Sequence, residues 1–336
     1  NISYSDYIRM RNFPLLNLGA IKGGLIVEQK TVREHPLGKI AERSVGYERI
    51  DENGYRTRVG LEGAFGEYLR GKEGKRLKQK IAKGQWKPLG QENIIEPKDG
   101  YDVISTIDIN IQDIAHHALL RQLEKYNADH GCVIVMETET GEIKAISNLG
   151  KTKDDKYYER LNYAIGESHE PGSTFKLMNM VASLEDGVVD TSTVKDTGKG
   201  YWKIYKHRIK DSKPGGYGKI SMAKAFEVSS NTALAKIIHN DYKSNPEKFV
   251  DRLRDMNLNL KLDLPIKGEG VPVIRYPGEK GWSGISLAWM SHGYEVALTP
   301  LQTLAFYNAI ANDGELVKPR LIKEVKEWNR SVKKPH

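Results

Sequence analysis

The chain of 336 residues is long enough for two ordinary domains, and 39% hydrophobic with 29% charged residues permits a sizeable core and excludes wholesale disorder. The single Cys132 excludes an internal disulfide and a multi-cysteine zinc site, and no apolar run approaches the ~18–20 residues that span a bilayer. The formal charge of +8 raises nucleic acid or an anionic surface as partners, but no zinc-finger, RNP-type or basic-zipper pattern accompanies it.

In chain order, residues 1 to about 97 are irregular and rich in Gly and charge. Gly24–Glu28 reads as a short strand, and Leu61–Leu69 as helical. The basic run of Lys72, Lys75, Arg76, Lys78, Lys80, Lys83 and Lys87, opposed by Glu73 alone, has helix-like patterning and the meaning of a solvated lysine-rich face, not of a phosphate track. A turn at Pro97-Lys98-Asp99-Gly100 then opens a more regular pattern. Val103–Ile107 reads as a strand, and Asp108 as the N-cap of a helix whose apolar stripe is Ile111, Ile114, Ala115, Ala118, Leu119, Leu123 and Tyr126. Gly131–Met136 and Glu142–Ser147 flank Thr138-Glu139-Thr140-Gly141 as a β-hairpin, with Cys132 a buried small hydrophobe in its first strand. Further helices are expected from Ser173, apolar on more than one face, from Ser221 to Val228, after Asn231, and at Pro300–Ala311 before Asn312-Asp313-Gly314. Hairpin strands with grouped helices make the class α+β.

Several active-site patterns are absent from the sequence: there is no GxxxxGK[ST], HExxH or GxSxG. The nine histidines are scattered, and adjacent His116 and His117 cannot share a metal through one helix face. Serine followed three residues later by lysine is chemically attractive, because on a helix the amine reaches the hydroxyl and can take its proton. Four such pairs occur, Ser173/Lys176, Ser192/Lys195, Ser221/Lys224 and Ser331/Lys334, against roughly two expected by chance. Context separates them. Ser192 sits in a polar turn, Ser221 reads as an N-cap, and Ser331 lies in a charged tail. Ser173 alone follows a Glu170-Pro171-Gly172 turn into an apolar helix, where free N–H groups and the helix dipole favour developing negative charge and burial favours a neutral Lys176. Ser229-Ser230-Asn231 is the one S-x-N triplet, placed between two helical stretches; alone, such a triplet usually means a helix cap. A second hydroxyl can relay a proton to a leaving amine, and an asparagine can hold a substrate carbonyl. S-x-x-K and S-x-N together are the pattern of penicillin-binding proteins and β-lactamases.

Glu170-Pro171-Gly172-Ser173-Thr174-Phe175-Lys176 closely resembles the nucleophile segment of class B penicillin-binding proteins, the peptidoglycan D,D-transpeptidases. Ser105-Thr106-Ile107-Asp108 with Gln112, the Val135–Ala145 hairpin and Ser291–Gln302 resemble further parts of that domain, and Arg33–Gly38 and Gly60–Gly71 resemble its non-catalytic pedestal. The resemblance implies a pedestal over residues 1–97 and a serine β-lactamase-like α+β transpeptidase domain over 98–336. It implies Ser173 as nucleophile, Lys176 as base, Ser229 as proton relay, Asn231 as substrate anchor, the Ser173 N–H as half of an oxyanion hole, and no metal or organic cofactor. Implied partners are peptidoglycan stem peptides, β-lactam antibiotics and a membrane glycosyltransferase within a cell-wall synthesis complex, with no nucleic acid. The implied location is the inner membrane, on the periplasmic side, with a single-pass anchor absent from this chain. Two departures stand out. Glu295 follows Tyr294 where the family usually has glycine, and no K-[ST]-G triplet occurs, since Lys195-Asp196-Thr197-Gly198 has the wrong spacing. The expectation is a domain truncated before that strand and a nearly inactive chain. A β-lactamase, a β-lactam sensor and a non-catalytic scaffold are the alternatives.

Overall fold

A computed structural model describes residues 2, 4–27, 34–35, 38–80, 86–88, 94–328 and 330–333. Glu28, Arg33, Pro36, Leu37, Lys83, Lys334 and His336, which enter the expectations above, lie outside them. The chain forms two compact units, 1–38 and 39–336. The first carries the helix Tyr4–Arg11, a 3-10 turn at Leu16–Leu18 and the single turn Gly19–Lys22. Gly24–Val27 is irregular, not a strand: Gly24 takes a left-handed φ of 68°, and no partner strand is paired with it among the described residues.

In the second unit, β1 (Tyr47–Ile50) and β2 (Arg56–Val59) form an antiparallel ladder that leads into α1 (Gly60–Ala64) and α2 (Gly66–Leu69). The expected helix over Leu61–Leu69 is thus two short turns that meet at Phe65, which is buried with Leu61. The basic run is not helical. Lys75–Arg76 pairs with Ile94–Ile95, and Lys78–Lys80 pairs with Trp86–Pro88. Its alternating lysines suit a two-stranded ribbon with both faces in water.

The next elements of this unit are β3 (Asp102–Ser105) and α3 (Ile109–Tyr126). Asp108 caps α3 as expected, its carboxylate accepting the Asn110 and Ile111 N–H groups. The buried stripe differs from the one read off the apolar pattern. Of the expected stripe Ala115 and Leu123 are buried, but Ile111, Ile114 and Tyr126 are exposed, and Gln112 faces inward. Gln112 turns in because its amide clamps the Ile146 backbone, donating to the carbonyl at 3.0 Å and accepting the N–H at 2.8 Å. That backbone belongs to the predicted hairpin, β4 (His130–Met136) and β5 (Ile143–Lys151), paired with Cys132 opposite Asn148 and Ile134 opposite Ile146. Cys132 is only partly buried, and desolvation still pushes its thiol up to about 11.

Then come α4 (Lys176–Glu185), the hairpin β6 (Tyr201–Ile204) with β7 (His207–Lys210), α5 (Met222–Glu227), α6 (Asn231–Tyr242), α7 (Pro246–Asp255), α8 (Ser286–Met290) and α9 (Pro300–Ala311). Two strands not expected from the sequence follow, β8 (Ile322–Glu327) and β9 (Arg330–Lys333), so Ser331 sits in a strand and not in a tail. β8 lies between β9 and β3, with Val325 opposite Val103. Thr106 joins this sheet to the hairpin, donating its hydroxyl to the carbonyls of Ile143 (2.7 Å) and Arg320 (3.0 Å).

Among the described residues three buried clusters hold the unit together, two of them large. Ile143, Ile146, Ile165, Leu301, Ile322 and Val325 pack with Leu61 and Phe65 beneath the sheets. Phe175, Met178, Leu234, Ile237, Tyr242, Phe249 and Leu287 form the interior of the helical half. α4 runs through this second core, with six of its residues buried, among them Lys176, Met178 and Met180. Among the described residues no helix is long and apolar enough to cross a membrane.

Candidate active site

The segment Glu170–Phe175 is held from two sides before it becomes α4. Gly172 has a left-handed φ of 57° and its N–H donates to the Gly293 carbonyl at 3.2 Å. Gly293, at φ 82°, approaches so closely that a Cβ there would fall 2.1 Å from the Gly172 carbonyl oxygen. From α9, the Tyr307 hydroxyl donates to the Thr174 carbonyl at 2.9 Å. The resulting 3-10 turn, Gly172–Phe175, drives Phe175 fully into the core and leaves Ser173 exposed. A rigid root with an exposed hydroxyl is what a nucleophile needs.

Lys176 occupies the first position of α4 and is 1% exposed. Its Nζ donates to the Ser229 hydroxyl (2.8 Å), the Ser229 carbonyl (2.7 Å) and the Asn231 amide oxygen (2.5 Å). Three oxygen acceptors explain how a lysine is tolerated there. Desolvation lowers its pKa to about 8 against the opposing pull of Asp211. Ser229 can aim both its carbonyl and its hydroxyl at the amine because it lies at φ 52°, in the break between α5 and α6. Ser230 caps α6, accepting the Ala233 N–H at 3.1 Å. Its hydroxyl donates to Asp211 at 3.0 Å, and the same carboxylate oxygen accepts the Thr232 N–H at 2.9 Å. Asn231 is oriented from its other end by donating to the Lys210 carbonyl of β7 at 2.9 Å.

The structure therefore brings Lys176, Ser229 and Asn231 into direct contact and sets Ser173 and Asn231 in one cleft of about 570 Å³. The expected Ser173–Lys176 hydrogen bond is not made; the amine is turned to the S-x-N triplet instead. The other three serine–lysine pairs lie away from this constellation. Ser192 is bonded to Asp190 in a turn, Ser221 caps α5, and Ser331 is exposed in β9.

Of the rest of the cleft, Glu170, Tyr294 and Glu295 are named in the resemblance and the other residues are not. β7 contributes Arg208 and Lys210, α8 and the loop after it contribute Trp289, His292 and Tyr294, and Glu170 and Glu295 form an acidic lip. His292 is buried, and desolvation together with the Lys176 charge lowers it to about 4, so it is neutral at pH 7. The Trp289 ring contacts the rings of His207, His292 and Tyr294 at 5.4–5.8 Å, fixing the hairpin β6–β7 to the far wall. Glu295 takes a glycine-like φ of 59° and is held there, its N–H donating to Glu170 at 3.0 Å and its carboxylate 3.5 Å from Arg275. The sequence signal for these residues was confined to Glu170 in the nucleophile segment and to Tyr294 and Glu295 near the site's edge; Arg208, Lys210, Trp289 and His292 had no assigned place in the cleft. Among the described residues no group of three His, Cys, Asp or Glu side chains is arranged to hold a metal.

The pattern of the penicillin-binding protein transpeptidase domain matches residues 131–336, more than half of the chain and all of the cleft just described. The chain belongs to this transpeptidase family. It is 28% identical to stage V sporulation protein D of Bacillus subtilis over 308 residues, covering 90% of this chain and 46% of that protein. It is also 28% identical to the peptidoglycan D,D-transpeptidase FtsI of Buchnera aphidicola over 319 residues, covering 94% of this chain and 52% of that one. The chain thus spans about half the length of the curated relatives it matches. A crystal structure from Atopobium parvulum shares the fold at TM-score 0.73 and 20% identity, over 90% of this chain and 66% of its own. The class B resemblance and the α+β transpeptidase fold read from the sequence both stand.

Proposed function

We propose that the protein is a serine-type peptidoglycan D,D-transpeptidase that cross-links stem peptides through an acyl-enzyme on Ser173, and that β-lactams acylate the same residue. The observation that carries this reading is the convergence of a desolvated lysine, a second serine and an amide on the cleft that exposes Ser173. Ser173 Oγ attacks the penultimate D-Ala carbonyl as the neutral Lys176 amine takes its proton. The missing Ser173–Lys176 contact does not argue against this role, because catalytic hydrogen bonds commonly tighten only when substrate arrives. The oxyanion forms beside the Ser173 N–H, which supplies one donor at the start of the 3-10 turn. Lys176 passes the proton through the Ser229 hydroxyl to the departing D-Ala amine, along the 2.8 Å contact already present. Asn231 holds the substrate amide, its own orientation set by Lys210. An incoming amine then repeats the sequence in reverse and leaves the cross-link.

On this reading the protein acts outside the cytoplasmic membrane beside a glycosyltransferase, and residues up to about 97 serve as a non-catalytic pedestal. The test is time-resolved labelling with fluorescent penicillin of a form that carries the K-[ST]-G strand, alongside nitrocefin hydrolysis. A long-lived adduct that Ser173→Ala abolishes, with negligible nitrocefin turnover, is expected. Rapid turnover would mark a β-lactamase instead, and labelling unaffected by Ser173→Ala would remove the reading.

A further inference from the structure

A second concavity, of about 420 Å³, lies outside the catalytic cleft, where the β2–α1 corner meets the segment leading to Ser173. Arg43, Arg58, Arg160, Lys267, Asn162 and Glu167 are among the residues that line it. Its charge is one-sided. Among the described residues Arg43, Arg160 and Lys267 have no carboxylate at ion-pair distance; the Arg43 and Arg160 guanidinium groups donate to the backbone carbonyls of Glu159 (3.1 Å) and Lys151 (3.4 Å), and Arg43 also lies over the Tyr47 ring at 5.9 Å. Arg58 must share Glu48 with Arg56 and Arg70, at 3.3, 3.3 and 2.9 Å. The lining carboxylate, Glu167, is engaged by His130 at 3.0 Å. Cations converging on a concave, partly desolvated site repel one another unless an anion joins them. A separate feature points the same way: both the oxygen and the nitrogen of the Asn162 amide are buried without a hydrogen-bond partner. Such a group is costly unless something else satisfies it.

We propose that this cavity binds a compact polyvalent phosphoryl anion, with Arg43, Arg160 and Lys267 as charge partners and the Asn162 amide as a hydrogen-bonding group. Guanidinium forks match phosphoryl oxygens two at a time, and a protonated or esterified oxygen answers the amide. The anion joins Arg43 and Arg58 of the N-terminal part to Arg160 and Lys267 of the catalytic fold. Gly166 and Glu167 also line the cavity, and the chain continues from them through His169, paired with Leu298, to Ser173. An occupant therefore steadies the root of the nucleophile turn.

The phosphoryl group can come from a soluble diphosphate or from an anionic lipid headgroup, and the experiment separates them. Titration calorimetry of the protein with inorganic pyrophosphate at constant ionic strength should show one saturable site. Arg43→Gln/Arg160→Gln should weaken it at least tenfold, while the surface pair Lys125→Gln/Lys224→Gln leaves it within twofold. Asn162→Asp, which sets a negative charge in the wall without changing size, should also weaken binding tenfold, with circular dichroism reporting that each variant is folded. Co-sedimentation with phosphatidic acid vesicles that pyrophosphate displaces assigns the lipid source; no co-sedimentation assigns the soluble one. Absence of a saturable site, or equal loss in the cavity and surface pairs, overturns the proposal. This readout does not involve Ser173 chemistry and stands or falls apart from the transpeptidase reading.

Discussion

At the scale of single residues the account turns on Lys176. Its amine is desolvated, has three oxygen acceptors and has a pKa lowered to about 8, so roughly a tenth of it is neutral at pH 7. The base is the neutral form, so the rate of Ser173 acylation should rise with pH and level off above about 8. Lys176→Arg should keep the fold, since guanidinium can satisfy the same oxygens, yet lose about 10²–10⁴ in rate because it stays protonated. Stopped-flow acylation by a fluorescent penicillin from pH 6 to 9.5 measures both. A flat profile, or an arginine variant that acylates at a near-normal rate, contradicts the base role.

At the scale of elements, the nucleophile turn and the S-x-N break are placed by backbone features that local sequence carries. Pro171-Gly172 before Ser173, the helix-cap meaning of the S-x-N triplet and the start of α9 at Pro300 were readable because each depends on neighbours within four residues. Contacts between distant elements were not readable. The aromatic wall at Trp289 and His292 acquires its place only when α8 and β7 pack together. β8 was hidden because its Ile-Lys-Glu-Val-Lys-Glu sequence has a buried side limited to a few positions, and its partner β3 lies at the other end of the domain. Gln112, named in the resemblance, was left out of the buried stripe because periodicity counts apolar residues, and here a polar amide does the burying. The pairing of Gly172 with Gly293 belongs to the same class and gives a sharp prediction. Gly293→Ala forces a Cβ to 2.1 Å from the Gly172 oxygen at a left-handed φ, so the loops must part. A destabilisation of about 2–4 kcal/mol in urea unfolding is expected, with acylation down by ~10-fold or more as Ser173 loses its alignment. Unchanged stability and rate would show that this contact does not position the turn.

At the scale of the whole molecule, Glu159 couples the early part of the second unit to the catalytic hairpin. Its buried carboxylate accepts the Arg43 N–H at 2.8 Å and the Asn148 N–H of β5 at 3.3 Å. Burial outweighs those bonds and raises its pKa from 4.5 to about 7. The folded state therefore holds this proton more tightly than the unfolded chain. The stability it confers is complete below pH 4.5 and is lost as pH rises through about 7. The loss should be on the order of 2–3 kcal/mol. Glu159→Gln removes the titration but keeps only one of the two acceptor contacts, its NH2 replacing the other oxygen, so it should be less stable at pH 4.5 yet its urea-unfolding free energy should fall less between pH 4.5 and 8. Parallel pH curves for the two proteins would contradict the assignment. The central claim, that Ser173 is the acylated nucleophile of a transpeptidase cleft, has a more direct test in peptide mapping by mass spectrometry after penicillin treatment of a form that carries the K-[ST]-G strand. The account predicts a single covalent adduct on the peptide containing Ser173. An adduct on Ser192, Ser221, Ser229 or Ser331 in place of Ser173 would contradict it.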